Sequence, residues 1–389
     1  MKATFAPGER TTGRRAVLGD DDVTDAELAA MVADLWEVPE VRLLDSTAAM
    51  VDYQVPAILT GARSWVRGHA DAGDGPREFT LFVKRVHHWR HSPMFALVPP
   101  EVAEWAATTV PWRSEVLVYG SDLADRLPDG LTMPRALRVD DRSDDTAVLW
   151  LEAVDHDATP WTLDTYVRAA HLLGRVSGSP RVAERATVDP QPWHIQYFVA
   201  GRLAHTVFPL LDDEDVWRHP AVAEHFGPLR EQLHAMTGHI DALAEEFAAL
   251  PHRAAHGDAS PNNLLRHPDG DGFTLIDYGF WRPQPIGYDL SQLLVGEIQV
   301  RRLDADDLPQ RAAACLAAYA EGLAAEGSPV EPDVLRRSHA VCLMLFNGLP
   351  SIPVEVLGED DQDAVAHHVA QRAAVLRYAL DVHADTDPA

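Results

Sequence analysis

Between two long helical stretches the chain runs HGDASPNNLL, a polar turn, then FTLIDYG, from His256 to Gly279. Asp258 is followed five residues on by Asn263, and a second aspartate, Asp277, closes an apolar run nineteen residues after the first. A short apolar run bounded by turn residues reads as a buried strand. The segment therefore folds as a polar loop leading into a small strand pair, with Asp277 delivered at a strand end. A carboxylate, an amide oxygen and a second carboxylate are hard donors of the kind that magnesium takes. Each also has a plain structural reading, Asp258 as a turn cap before Ser-Pro and Asp277 as a turn residue ahead of Tyr278-Gly279.

Residue usage sharpens the choice. Only two of the 33 basic residues are lysines, Lys2 and Lys84, and two of the three asparagines are Asn262 and Asn263. A bias toward Ala, Arg and Gly codons explains the scarcity but not the positions of the exceptions. Lys84 lies in FTLFVKRV (79–86), in phase with Phe82 and Val86 on a period of two, so it occupies a half-buried strand face and needs a partner.

The length of 389 residues accommodates two lobes. No apolar run approaches the roughly 20 residues of a membrane span, and the N-terminal MKATFAPGERTTGRRAVLGDDD has no apolar core, so no signal peptide is expected. Cys315 and Cys342 sit in apolar helical sequence without metal-ligand spacing and read as buried free thiols of a cytoplasmic protein. A net charge of −27 argues against nucleic acid or an anionic membrane as partner. The same charge attracts a cationic substrate at long range, or simply keeps the protein soluble.

Along the chain, residues 1–20 are polar and read as loose. Asp25–Trp36 has helical spacing behind a Thr24 cap. Val41–Leu44, Val51–Leu59, Ser64–His69, Phe79–Val86, Met133–Val139 and Thr146–Val154 read as strands. DAGDGP (71–76) and DDRSDD (140–145) read as turns. Pro100–Leu127 is helical. After Asp155 the chain is expected to be helical over 161–177, 219–248, 289–303, 309–326, 331–348 and 361–383, interrupted by the strand pair around Asn263–Ile276. The layout is α+β: a β-rich first lobe (1–155), a crossover at Leu151–Val154, and a mainly helical second lobe (156–389).

At HGDASPNN, IDYG and IGYDLSQLL the sequence resembles the aminoglycoside phosphotransferase family, which has a two-lobed protein-kinase-like fold. The likeness is specific from about Pro251 to Leu294 and looser over 51–175. The Gly-Asp-Pro usual before the Asp-Leu pair is replaced here by Ile-Gly-Tyr ahead of Asp289-Leu290. The resemblance implies Asp258 as the base on the acceptor hydroxyl, and Asn263 and Asp277 as magnesium ligands. Spacing prefers Asn263 over Asn262, which then shapes the loop. His256 and Asp289 are implied as loop supports. Lys84 is implied on the α/β-phosphates of ATP or GTP, paired with a helical Glu. Glu115 is preferred, with Glu101 and Glu104 as competitors. Ser64 and the backbone near Ala62 and Arg63, in LTGARSWVRG, are expected to cover the phosphates, and Glu152 and Ala153 at the crossover to meet the base. An antibiotic of the aminoglycoside type is the leading acceptor. A sugar, amino sugar, nucleoside or macrolide is the alternative, and a nucleotide-binding pseudokinase is the alternative of another class. Oligomeric state is not legible.

Among other features, HHWRH (87–91) lacks a completing carboxylate or Cys and reads as a loop. WHIQY (193–197) suits either ring stacking or core. The acidic runs 212–215 and 359–363 read as solvated faces. No Walker A pattern, dinucleotide glycine triplet or G-x-S-x-G elbow is present.

Overall fold

The computed structural model describes residues 14–52, 58–93, 100–142 and 145–387. These divide into two compact units. One comprises residues up to 125, 132–158 and 265–279; the other comprises 126–131, 159–264 and 280 onward.

The first unit is built on an antiparallel sheet. Its strands are β1 (Arg42–Met50), β2 (Thr60–Asp71), β3 (Pro76–His87), β5 (Ala136–Asp141) and β6 (Thr146–Glu152), in the order β1-β2-β3-β6-β5. Helix α1 (Asp25–Trp36) starts where its capping box dictates: the Thr24 hydroxyl accepts from the Glu27 N–H, and the Glu27 carboxylate accepts from the Thr24 N–H. Its apolar stripe of Leu28, Met31 and Val32 is buried with Val66, Phe79, Leu81, Val83, Val148 and Trp150. Alternation along β3 therefore commits 79, 81 and 83 to that core and turns Lys84 to the other face, where it is buried rather than half-buried. The 71–76 turn forms as its residues dictate, with the Asp71 carboxylate accepting from the Gly73 and Gly75 N–H groups. Helices α2 (Pro100–Thr109) and α3 (Ser114–Tyr119) replace the single helical stretch expected over 100–127, because Pro111 interrupts it. A three-stranded sheet of β4 (Leu131–Thr132), β9 (Phe273–Leu275) and β8 (Leu264–Arg266) carries the expected strand pair.

Two expectations on the sheet are corrected. Strand β1 runs from Arg42 through Met50, past the expected end at Leu44, and of the strand expected over 51–59 residues 51, 52, 58 and 59 are not in a strand while 53–57 lie outside the described set. LTGARSWVRG is not a loop but the body of β2, with Arg63 opposite Lys84 and Ser64 opposite Val83. Gly68 there serves packing: a Cβ would stand 2.1 Å from the Asp45 carbonyl, beside a register shift between Leu43 and Asp45.

The second unit is helical, with α4 (Leu163–Gly178) packed on Leu308–Ala325. The expected helix over 219–248 is broken at Gly227-Pro228 and near Gly238. Helical sequence from Ile195 to Asp212 was missed. It contains a π-helical stretch, Val199–Val207, and a second π-helical turn occupies Met344–Gly348. A short ladder of β7 (His252–Ala255) and β10 (Arg282–Pro285), also missed, leads directly into His256-Gly257-Asp258. Among the described residues no helix is long and apolar enough to cross a membrane. Both cysteines are buried free thiols.

Candidate active site

In the first unit β3 carries Lys84 into a setting where it is 3% exposed. Its Nζ lies 2.6 Å from Glu115 Oε2 and 3.0 Å from Asp277 Oδ1. A buried ammonium is costly without partners, and two carboxylates supply them. Burial by itself depresses the Lys84 pKa, but Asp277 and Glu115 outweigh it and hold the group protonated, with its pKa raised. Burial pushes the Glu115 carboxyl up, and Lys84 only partly offsets this. Glu115 stands in the first turn of α3, while its competitor Glu104 is exposed; the side chain of Glu101 lies outside the described set.

Asp277 follows β9 with φ of 65°, in the left-handed region that few non-glycine residues adopt. That conformation turns its side chain onto Lys84 and leaves it one-third exposed, where Lys84 and Glu115 are only 4% exposed. Tyr119 and Tyr278, both buried, pack edge to face with ring centroids 5.8 Å apart.

In the second unit the loop after β7 is held by Asp289, in the first turn of the helix Tyr288–Gln299. Its two oxygens accept from the His256 N–H (2.9 Å) and the Gly257 N–H (2.8 Å). Burial raises the Asp289 pKa, countered in part by His256 and these hydrogen bonds. Gly257 is required twice over. Its φ is +85°, and a Cβ would stand 2.2 Å from the Phe280 carbonyl oxygen. The His256 ring is fully buried, and its Nδ1 lies 3.4 Å from the Asp258 backbone nitrogen. Asn263 Nδ2 donates to the Asp258 carbonyl (2.8 Å) and to Asp258 Oδ2 (3.0 Å). This orients the amide so that its oxygen points away from Asp258. Asn262 instead accepts from Arg302, a loop contact for which the sequence offers no periodic signal.

The remaining expected positions are placed less openly. Ser64 is 3% exposed, and its hydroxyl lies against the Met50 sulfur at 3.7 Å, inside the strand pair rather than on a loop. Glu152 ends β6 with its carboxylate on the Arg135 N–H at 2.9 Å. Ala153 follows it half-buried.

Asp277 in the first unit and Asn263 in the second each offer a hard oxygen of the kind magnesium takes, and magnesium is commonly held by one or two carboxylates plus substrate phosphates rather than by a full protein cage. No cluster of three or more His, Cys, Asp or Glu that could hold a metal ion occurs among the described residues.

Comparison with known proteins adds three findings. No curated protein sequence matches the chain. The fold is shared with an amicoumacin kinase, hAmiN, solved in complex with AMP-PNP, Ca2+ and Ami (12% identity, TM-score 0.50, covering 85% of this chain and 88% of that one). It is shared equally with an aminoglycoside phosphotransferase from Alicyclobacillus acidocaldarius (14% identity, TM-score 0.51, covering 82% and 90%). At such identities the likeness establishes the protein-kinase-like architecture alone. The family model of the phosphotransferase enzyme family (APH) matches residues 122–332, more than half of the chain and inclusive of the loop from His256 to Asn263, Asp277 and Asp289. The chain therefore belongs to the phosphotransferase enzyme family, whose members are small-molecule kinases.

Proposed function

We propose that this protein transfers the γ-phosphoryl group of ATP or GTP, with magnesium, to a hydroxyl of a small molecule. The observation that carries the reading is the buried Lys84, held between Glu115 and Asp277. A chain with one internal lysine has buried it at the cost of desolvation and given it two carboxylates. A purely structural pair gains little from such burial, whereas a preorganised ammonium suits polyphosphate.

In this reading Lys84 meets the α/β-phosphates, and Glu115 fixes its direction. Asn263 and Asp277 would hold magnesium, which when bound neutralises charge on the phosphates. Asp258 aligns the acceptor hydroxyl. As the acceptor oxygen bonds to the γ-phosphorus, the bond from that phosphorus to the β–γ bridging oxygen breaks. The nucleoside diphosphate departs and the hydroxyl proton passes to Asp258. His256 and Asp289 fix the loop, and Glu152 and Ala153 are the backbone positions for the base. The residue division is a nucleotide-binding lobe over 1–155 and a lobe with the catalytic loop over 156–389.

The acceptor expected from family resemblance is an aminoglycoside-type antibiotic, and the enzyme is expected to work in the cytoplasm. Nucleoside diphosphate release with magnesium and a panel of hydroxylated acceptors tests the reading. Asp258→Asn is expected to lower kcat by about 10²–10⁴-fold with little change in nucleotide affinity. A parent that binds nucleotide and never turns it over, whatever the acceptor, identifies a non-catalytic binding module instead.

A further inference from the structure

Around the loop that carries Asp258, the second unit assembles a wall that the transfer chemistry does not use. The β10–β7 ladder sets Arg282 opposite Ala255, the residue before His256. Tyr288 precedes Asp289, whose carboxylate holds the loop. Against Tyr288 packs Phe346 (ring centroids 5.1 Å), and against Phe346 packs Phe198 (4.5 Å). Phe346 lies in one π-helical turn, and Phe198 immediately precedes the other. Widened turns of this kind recur at functional sites. Arg202 lies one helical turn beyond Phe198, so it rises on the same side of the same wall.

Two arginines of this wall and a third that acts on one of them make no salt bridge among the described residues. Among the described residues, Arg202 and Arg282 make no salt bridge and no side-chain hydrogen bond; Arg282 stands over the Trp193 ring at 5.6 Å. Arg372 is 6% exposed, donates one hydrogen bond to the Pro350 carbonyl and leaves its Nε without a partner. Arg202 and Arg372 repel each other and share one carboxylate at longer range, Glu355. Arg202 is open to solvent, and yet surrounding protein depresses its guanidinium's pKa. Arg282 is half-buried with the same depression, and both it and Arg202 act on the Tyr288 hydroxyl, which also feels Asp258.

Asp189 acts on Arg282 and Glu355 on Arg202, but neither carboxylate makes a salt bridge to them and both guanidiniums keep a lowered pKa; their planar forks match carboxylate and phosphate. The overall charge of −27 does not decide the matter, because charges at short range dominate and distant ones are screened.

We propose that the acceptor is a hydroxylated small molecule bearing an anionic group, a carboxylate or a phosphate ester, which Arg202 and Arg282 receive beside the Tyr288–Phe346 wall while its hydroxyl is offered to Asp258. This rests on the phosphotransfer reading of Asp258 and sets an anionic acceptor in place of the aminoglycoside-type one expected from family resemblance.

The test uses the full-length protein with magnesium and either a non-hydrolysable ATP analogue, for thermal shift, or ATP, for ADP release. Shikimate, glucuronate and glucose 6-phosphate are compared with glucose as the neutral acceptor, and with glucosamine and kanamycin as cations. Anionic acceptors are expected to raise Tm and to be used at least about tenfold better than glucose. Arg202→Gln and Arg282→Gln are expected to raise their KM about tenfold while the nucleotide KM stays unchanged. Glu355→Gln, an exposed change that removes the competing carboxylate, is expected to lower the KM for anions. Preference for glucosamine or kanamycin, no stabilisation by any anionic compound, or folded arginine variants that behave like the parent would overturn the proposal. So would a rise in nucleotide KM instead of acceptor KM, because the arginines would then serve the nucleotide's phosphates. If the anions bind through both arginines and no ADP is released with any acceptor, the anion subsite stands and the transfer reading of Asp258 falls.

Discussion

At the scale of single residues, Lys84 shows how far composition and phase reach. Its rarity and its place on a strand mark it in the sequence. The identity of its partner among Glu101, Glu104 and Glu115 was open, because helix position does not say which side chain turns inward; packing selected Glu115. Removing the ammonium strands two carboxylates, one of them fully buried. Lys84→Met is therefore expected to cost about 3–5 kcal/mol and to abolish turnover, read by urea unfolding and ADP release. The pH dependence has a definite sign. A group whose folded pKa is raised stabilises the fold below its unfolded pKa and ceases to do so as pH climbs through the folded value. The contribution of Lys84 is thus intact below its ordinary value of 10.5 and is lost as pH rises beyond that, through the raised folded pKa. Urea titrations of parent and Lys84→Met should converge across that alkaline range; parallel curves would refute the coupling.

Secondary-structure elements divide into those whose stop and start signals lie in the chain and those whose signals are spatial. Helix α1 belongs to the first group: its Thr24 capping box is local, and its expected bounds are those observed. The β2 strand belongs to the second. Family resemblance implied a phosphate loop at LTGARSWVRG although it holds only Gly61 and Gly68, and glycine in sequence looks alike whether it frees a backbone or admits a neighbour. Gly68 admits the Asp45 carbonyl at a bulge. Gly68→Ala is accordingly expected to destabilise by about 1–3 kcal/mol in denaturant melts without altering nucleotide KM. An altered nucleotide KM would restore the phosphate role. The β7–β10 ladder was missed because β10 reads RPQP, two prolines in four residues; such a strand forms only where its partner and surroundings supply the order. The π-helical stretches were missed because their widening comes from packing, not from a residue pattern.

For the whole molecule, a charge of −27 was legible at once and says least about the acceptor. Self-repulsion of that size weakens the compact state, so adding about 0.5 M salt, which shortens the Debye length to a few ångströms, is expected to raise Tm in thermal melts. A flat or falling Tm would show that the acidic side chains are already locally paired. The arginine wall runs against the net charge because it draws on Arg202, Arg282 and Arg372, separated by up to 170 residues and each unremarkable among many arginines. The chain alone determined the family, the α+β order of its elements and the loop with Asp258, Asn263 and Asp277, because those depend on spacing within a short contiguous segment. Only the tertiary structure decided which glutamate meets Lys84, what Gly68 is for and where unpaired guanidiniums gather. Those depend on side chains remote in sequence competing for the same buried space, and burial sets which pairings are kept.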